Sequence, residues 1–212
     1  MIDLSRINIA EFIADWYGPP DRPTERALEC DHLPEPLRAW YDLAATYSIP
    51  LLGIKRFADP INIDIRNGKM VFLFDPSDAI WGFDPADPMS VYEGRLYGDW
   101  EKLSEPLPEF LVHNALGEAA YNAPFTKYCG TVANARMNDV LAPMTEVATG
   151  AWNWPDSDHR LFMGQGIVAE VGPAIDGGAP MDDQSGYSEV QVGATTPAAL
   201  SFLNAISGID WL

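Results

Sequence analysis

Cysteine is nearly absent from this chain of 212 residues, which contains only Cys30 and Cys129. Neither belongs to a C-x-x-C pair, so the sequence offers no redox motif and no disulfide framework. Two isolated thiols indicate a reducing compartment, with one disulfide between them as the alternative. A chain of this length buries about 70% of the surface of its unfolded state, so it needs neither disulfides nor metals for stability.

Long apolar runs and targeting signals are also lacking. The N-terminus places Asp3 and Arg6 where a signal peptide would need its apolar stretch. The longest uncharged run, residues 190–209, contains Pro197 and several polar side chains. It therefore predicts a soluble strand and helix and not a membrane span. From these absences we expect a cytoplasmic protein.

Basic residues are few as well. Lysine and arginine total 13, whereas aspartate and glutamate total 31, so the net charge is −18. Such a surface repels nucleic acid and anionic membranes and attracts basic partners, although solubility alone is the alternative explanation. Residues 75–109 hold nine acidic residues against two basic ones, and residues 137–192 hold nine against one. The surplus is therefore regional, as a partner-facing surface would require.

Apolar residues recur at helical spacing in several segments. We expect helices over approximately residues 5–18, 34–49, 107–119 and 196–208, with a short one near 137–141. Ser5 is the predicted N-cap of the first helix, and Thr196, followed by Pro197, is that of the last.

Apolar and polar residues alternate over 61–66, and Asn67-Gly68 follows. This pattern predicts a β-hairpin whose second strand covers residues 70–74. Further strands are expected at 79–83, 166–171 and 189–192, with long loops at about 125–160 and 175–188. This order predicts an α+β fold with a single antiparallel-rich sheet and helices packed on one face. The other face would be left for binding. We expect one domain over 1–212, with 1–27 as an N-terminal helical extension and 28–212 as the core.

Several motifs in this order resemble the SUKH superfamily, which includes the Smi/Knr-type cell-wall assembly regulators of yeast and many bacterial immunity proteins. The motifs are Leu33-Pro34 with Leu37, Trp40 and Tyr41; Ile80-Trp81; Asp87-Pro88-x-x-Val91-Tyr92; Trp100; Leu107-Pro108-Glu109-Phe110-Leu111; and residues 190–196 with Ala199-Leu200 and Trp211. The resemblance covers approximately residues 28–212. It implies a compact α+β fold that acts by protein–protein contact. Bacterial members bind a polymorphic toxin, often a nuclease, and block it inside the producing cell.

The first hypothesis is therefore an immunity protein that neutralises a cognate, basic toxin. A regulatory scaffold that binds a housekeeping partner is the second, and a small carboxylate-dependent hydrolase is the third. We expect no enzymatic activity and no cofactor. Aromatic anchors rimmed by carboxylates would suit a cationic partner. The predicted contact residues are Asp78, Trp81, Asp84, Asp87, Tyr92, Glu93, Asp99 and Trp100.

Three groups of residues could have catalytic, metal-binding or anchoring roles. His113 falls on the helix face opposite Phe110, which predicts a solvated histidine. Residues 156–159, Asp-Ser-Asp-His, form the best metal candidate, but they lack the residue order of a calcium loop, so we expect no metal site. Trp152 and Trp154 are predicted to close the core, with a role as interface anchors as the alternative.

Overall fold

The computed structural model describes residues 1–23, 32–154, 158–175 and 186–212. Its helices are α1 (Ile9–Tyr17), α2 (Glu35–Ala45), α3 (Leu107–Asn122) and α4 (Met137–Val140). Its strands are β1 (Ile2–Asp3), β2 (Arg56–Phe57), β3 (Ile65–Arg66), β4 (Lys69–Phe74), β5 (Ala79–Asp84), β6 (Asp87–Arg95), β7 (Trp100–Pro106), β8 (Phe125–Ala133), β9 (Thr145–Ala148), β10 (Arg160–Gly164), β11 (Ile167–Pro173) and β12 (Tyr187–Ala194). Over the described residues, no helix combines the length and apolarity needed to cross a membrane.

The strands form two sheets. The front sheet has the order β2-β4-β5-β6-β7, with β3 also paired to β4, and all of its pairs are antiparallel. The back sheet has the order β1-β9-β10-β11-β12-β8. Its pairs are antiparallel except for β1 with β9, which is parallel.

Helix α3 lies between the two sheets. Ten of its 16 residues are buried, because apolar side chains occur around its whole circumference. Toward the front sheet, the Phe110 ring lies 5.6 Å from that of Phe72 and 6.3 Å from that of Trp81. Toward the back sheet, Gln191 of β12 donates from Nε2 to the carbonyl of Ala120 at 3.0 Å. The main core is therefore built around this helix.

A second, smaller core covers the outer face of the back sheet. There Leu200 and Leu203, from the 3-10 segment Pro197–Ala205, pack with Val190 and Val192 of β12. The molecule thus stacks the front sheet, the layer of α1, α2 and α3, the back sheet and the terminal 3-10 segment.

The α+β class is confirmed, but the prediction of a single sheet is wrong. The segment predicted as a long loop at about 125–160 contains β8, α4 and β9, and β8 and β9 are two of the six strands of the back sheet. These strands mix polar and apolar residues and pair with distant strands, so their local sequence carries little strand signal. The short helix expected near 137–141 is confirmed as α4.

Several element ends differ from the expectation. The N-cap of α1 is Asn8, whose Oδ1 accepts from the backbone N–H of Ala10, whereas Ser5 lies in a separate 3-10 turn. The strand predicted over 61–66 is reduced to β3, since Asp59 caps a 3-10 turn over Pro60–Asn62. The last helix is 3-10, although Thr196 caps it as predicted.

The N-terminal segment belongs to the shared core. Strand β1 pairs with β9, and Phe12, Ile13 and Trp16 of α1 are buried in the main core. The described part of residues 1–27 is thus more closely integrated than an extension would be. Cys129 is buried, whereas Cys30 and most of the predicted loop over 175–188 lie outside the described residues.

The contact between α3 and β12 gives the first test. A Cβ added at Gly193 would lie 2.5 Å from the carbonyl oxygen of Ala119 and 2.7 Å from that of Ala120, and backbone cannot yield as a flexible side chain does. We expect Gly193→Ala to lower the free energy of unfolding by about 1–3 kcal/mol, measured by urea denaturation. Gly98→Ala is the control, because its new Cβ would meet only ordinary contacts, the nearest at 3.4 Å. Equal effects of the two substitutions would contradict this packing.

Candidate functional site

Five glutamate side chains are buried or largely buried around α3. The group consists of Glu93, Glu105, Glu118, Glu170 and Glu189, and four of these five residues are at most 6% exposed. A buried carboxylate is costly unless hydrogen bonds or opposite charges compensate it. Each of the five has such a partner, and the partners of Glu93, Glu118 and Glu189 are 60 or more residues away in sequence. These carboxylates therefore anchor the surroundings of the helix.

Glu118 of α3 holds the loop that leads into β2. Its two carboxylate oxygens accept from the backbone N–H groups of Gly53, Ile54 and Lys55 at 2.8–3.0 Å. The Lys55 ammonium lies 3.5 Å from Glu118 and within 6 Å of the rings of Trp81 and Trp152. The loop thus folds against the helix with a lysine pointing inward.

Glu105 of β7 holds a second loop, the connection from β9 to β10. It accepts from the indole Nε1 of Trp152 at 2.7 Å and from the backbone N–H of Gly150, and it contacts His113 Nδ1 at 2.8 Å. Burial opposes ionisation of Glu105, but its hydrogen bond with His113 and the electrostatic attraction between the two groups, with the other two donors, outweigh burial and lower the pKa of this carboxyl. The Trp152 ring stacks on Phe110 at 4.7 Å.

A third group joins the back sheet to α3. His159 Nδ1 contacts Glu170 Oε1 at 2.7 Å, and the hydroxyl of Tyr121 donates to the same oxygen at 3.3 Å. Burial, reinforced by the negative charges of Glu170 and Glu189, raises the pKa of Tyr121, so its phenol stays a neutral donor. Gly172 leaves room for the imidazole, since a Cβ there would lie 2.6 Å from His159 Cε1.

These three groups enclose a cavity of about 180 Å³ beside α3, which we call the helix cavity. Its lining includes Lys55, His113, Asn114, Trp152, Trp154 and His159. Asn114 is 1% exposed, and no described residue forms a hydrogen bond with either its Oδ1 or its Nδ2. The cavity therefore adjoins aromatic walls and a buried amide that has no hydrogen-bond partner among the described residues.

A second concavity, of about 260 Å³, lies at the end of the front sheet, and we call it the acidic groove. Glu93, Asp99 and Glu101 line it together with Asn153 and Trp154. Asn153 connects two of the carboxylates, because its backbone N–H donates to Glu93 at 2.8 Å and its Nδ2 donates to Glu101 at 2.9 Å. Burial, to which the charge of Glu101 adds, raises the pKa of Glu93 to about 7.

The predicted contact residues are divided among several places. Glu93 and Asp99 line the acidic groove, and Asp78 directly precedes Ala79, which also lines it. Asp84 and Asp87 lie at the opposite end of β5 and β6, where they pair with Lys69 at 2.8 Å and Lys102 at 3.9 Å respectively.

The predicted aromatic anchors differ from one another. Tyr92 and Trp100 lie on the face of the front sheet away from α3: the Lys69 ammonium lies 3.7 Å from the Tyr92 ring, and Trp100 Nε1 donates to the carbonyl of Arg66. Trp81 is 0% exposed and packs in the main core. Its prediction as a surface anchor is wrong, because residue 81 points inward on a strand that is buried on both faces. Glu93, at 5% exposure, is likewise a buried wall of the groove.

His113 and the aromatic and metal candidates near residue 155 occupy the following places in the structure. The side chain of His113 is only 14% exposed, so it is not a solvated histidine, because α3 has no solvent face on that side. Trp152 closes the core as predicted. Asp156 and Ser157 of the metal candidate lie outside the described residues, while His159 contacts Glu170. Within the described ranges, no three His, Cys, Asp or Glu side chains are grouped so as to hold a metal ion.

Compared with known proteins, the chain matches no family model, no curated protein and no solved structure. The SUKH resemblance therefore stays a prediction. The helix cavity was missed at the sequence level. Its only local signal is the occurrence of His113, Asn114 and Glu118 on a helix that is otherwise apolar on every face.

The raised pKa of Glu93 predicts a pH dependence of stability. Between its ordinary pKa of 4.5 and about 7, the folded protein holds a proton that the unfolded chain releases. The contribution of Glu93 is therefore fully present below pH 4.5 and is lost as the pH rises through 7. We expect Glu93→Gln to flatten the fall in unfolding free energy between about pH 5 and pH 8, measured by urea denaturation at several pH values.

The control is Glu11→Gln, which removes an exposed carboxylate from α1 and should leave the wild-type slope unchanged. The lowered pKa of Glu105 has the opposite effect on stability. Its contribution to the unfolding free energy is present above its ordinary pKa and is lost in acid, which lies outside the range of about pH 5 to pH 8. Parallel curves for the wild type and Glu93→Gln would show that Glu93 ionises normally.

Proposed function

We propose that this protein is a bacterial immunity protein, which binds a cognate polymorphic toxin of basic, nuclease type in the cytoplasm and blocks it by protein–protein contact. The observation that supports this proposal best is the acidic groove, which Glu93, Asp99 and Glu101 line together with Trp154. Carboxylates beside an aromatic ring suit a lysine or arginine side chain, through charge-assisted hydrogen bonds and cation–π contact.

An intramolecular contact illustrates this preference. The guanidinium of Arg95, which also lines the groove, lies 5.6 Å from the Trp154 ring. A lysine or arginine side chain of a partner would contact the Trp154 ring in a groove that three carboxylates line. It would also favour the ionised form of Glu93, whose burial raises its pKa. The groove is therefore a candidate anchor point for one basic side chain of the partner.

The surface around the groove extends the negative field. Asp78, Asp99 and Glu101 are exposed, and none of them forms an ion pair within the described part of the chain. With the net charge of −18, this surface would raise the association rate of a basic protein. A regulatory scaffold for a housekeeping partner would use the same surface, so the identity of the partner separates these two functions.

Neutralising the groove should weaken the complex. We expect the double variant Asp99→Asn with Glu101→Gln to bind the toxin domain encoded by a neighbouring gene about tenfold more weakly, because an incoming cation loses two carboxylate partners. The control is Asp139→Asn with Glu11→Gln, which removes the same charge from exposed positions of α4 and α1. Surface plasmon resonance at several salt concentrations would give both rate constants, and salt should slow association.

Three outcomes would overturn the proposal or part of it. If neighbouring genes encode no toxin, or if a toxin domain neither co-purifies with this protein at low salt nor is tolerated by cells that express it, the immunity function fails. If both double variants bind alike, the groove is not the contact. If a housekeeping protein forms the stable complex instead, the scaffold function replaces the immunity function.

A second candidate function is the small hydrolase, which one observation favours. His113 and His159 both line the helix cavity, and each contacts a glutamate through Nδ1. An imidazole oriented in this way by a carboxylate can act as a general base. Turnover of the acetate, phosphate or glucoside of p-nitrophenol that falls at least tenfold in His113→Gln would support this function, whereas absence of turnover would count against it.

A further inference from the structure

An apolar groove of about 620 Å³ lies between α2 and residues 50–60. Tyr41 and Ala44 line it from the helix, and Leu52 and Phe57 line it from the opposite side. The groove is open along its length, and it is separate from both the helix cavity and the acidic groove in most of its lining.

Isoleucines stand at both ends of the segment that lines this groove. Ile49 precedes Pro50 and is 48% exposed, and Ile61 follows Pro60 and is 66% exposed. Since Pro50 and Pro60 themselves line the groove, both isoleucines lie at its rim. We call the groove and these two side chains the isoleucine face. An apolar groove with exposed apolar side chains at its rim is typical of a surface that another polypeptide covers.

The turn that carries Ile61 is fixed before any partner arrives. The carboxylate of Asp59 accepts from the backbone N–H of Ile61 at 3.2 Å, and the carbonyl of Asp59 accepts from the N–H of Asn62 at 2.8 Å. Ile63, which follows the turn, is buried in the main core. Ile61 is therefore presented on an ordered support, so that burying it in an interface costs little backbone entropy.

The charges of the isoleucine face complement one another. Residues 49–61 carry Lys55, Arg56 and Asp59, and Lys55 is already paired with Glu118. Arg56 and Asp59 are both exposed, and neither forms an ion pair with another described residue. The face thus presents one free cation and one free anion.

This balance selects the occupant. A strongly basic or strongly acidic partner gains little from a face whose two free charges cancel, and it would find the acid-rich segments elsewhere more or less attractive. Two copies of this chain, each with a net charge of −18, repel each other through those acid-rich segments. They can approach through a locally neutral face, because salt screens charges more than about 8 Å away at physiological ionic strength. A groove, a projecting side chain and two opposite charges together form a surface that fits a second copy of itself.

We propose that two copies of this chain form a dimer about a two-fold axis through the isoleucine face. In a two-fold interface every contact occurs twice with the partners exchanged. Ile61 of each copy enters the groove of the other, and Arg56 of each copy faces Asp59 of the other. The acidic groove is lined by residues outside this face, so the dimer has two acidic grooves. The inference does not depend on the proposed function.

The wild-type protein gives the first arm of the test. We expect sedimentation-velocity ultracentrifugation to show twice the mass of the chain, with a dimer dissociation constant of about 10 µM or tighter. A mass of one chain at concentrations up to about 100 µM, tenfold above that constant, would overturn the proposal and leave the isoleucine face to a different partner.

Ile61→Asp gives the second arm. It should weaken the dimer at least tenfold, because two aspartates would have to enter apolar grooves. Its circular dichroism spectrum should match that of the wild type, since Ile61 is exposed. The matched control is Ile175→Asp, which makes the same change at a residue that is 59% exposed and lies beside β8 of the back sheet. Equal dissociation constants for the two variants would contradict the interface.

Arg56→Glu tests the charge pairing independently of the groove. It places like charges opposite each other twice and should weaken the dimer at least tenfold. The control Arg136→Glu makes the same change in net charge at an exposed residue beside α4. If Arg56→Glu and Arg136→Glu dimerise alike, the proposed pairing is wrong. None of these residues lines the acidic groove, so the Ile61→Asp monomer should still bind a toxin domain if the immunity proposal holds, and either proposal can fail without the other.

Discussion

The enclosure of α3 between two sheets is the constraint on which the rest of the structure depends. A helix with a solvent face can place its polar side chains in water, but α3 has little such face, so each of its polar groups needs a partner within the protein. Glu118 is paired by Lys55 and a loop backbone, and His113 by Glu105. Both amide atoms of Asn114 are buried without a partner among the described residues. The helix cavity follows directly from this arrangement.

The enclosure of α3 also means that part of the protein's negative charge is not on its surface. Several acidic residues that look like surface charge in the sequence are structural anchors: Glu105 of the front sheet holds Gly150 and Trp152, which precede β10 of the back sheet. Glu93 is buried with a pKa of about 7, so it contributes only part of a charge near neutral pH. The field available to a partner therefore comes from exposed residues such as Asp78, Asp99 and Glu101, and it is weaker than the net charge alone implies.

Local signals explain which parts of the fold were predictable. The hairpin at Asn67-Gly68 was predictable because both residues adopt the positive φ angles, 46° and 82°, that this turn requires. Strands β11 and β12 of the back sheet were also predictable, but their place in a second sheet was not, since short strands such as β9 are defined by partners far along the chain. Charge density in the sequence led to Glu93 and Asp99. Asn114 could not be found in this way, because its significance depends on the absence of partners from distant segments. His113 was misplaced by assuming that α3 has a solvent face.

The helix cavity and the acidic groove meet at Trp154, which lines both. Coupling between them would require the segment around Trp154 to have two arrangements, one of which a bound partner favours. That segment is held from both sides: Glu105 binds Trp152, and Glu93 and Glu101 bind Asn153. Movement would expose buried carboxylates that these bonds compensate, which is costly. The geometry therefore argues that a partner bound in the acidic groove would leave the helix cavity unchanged.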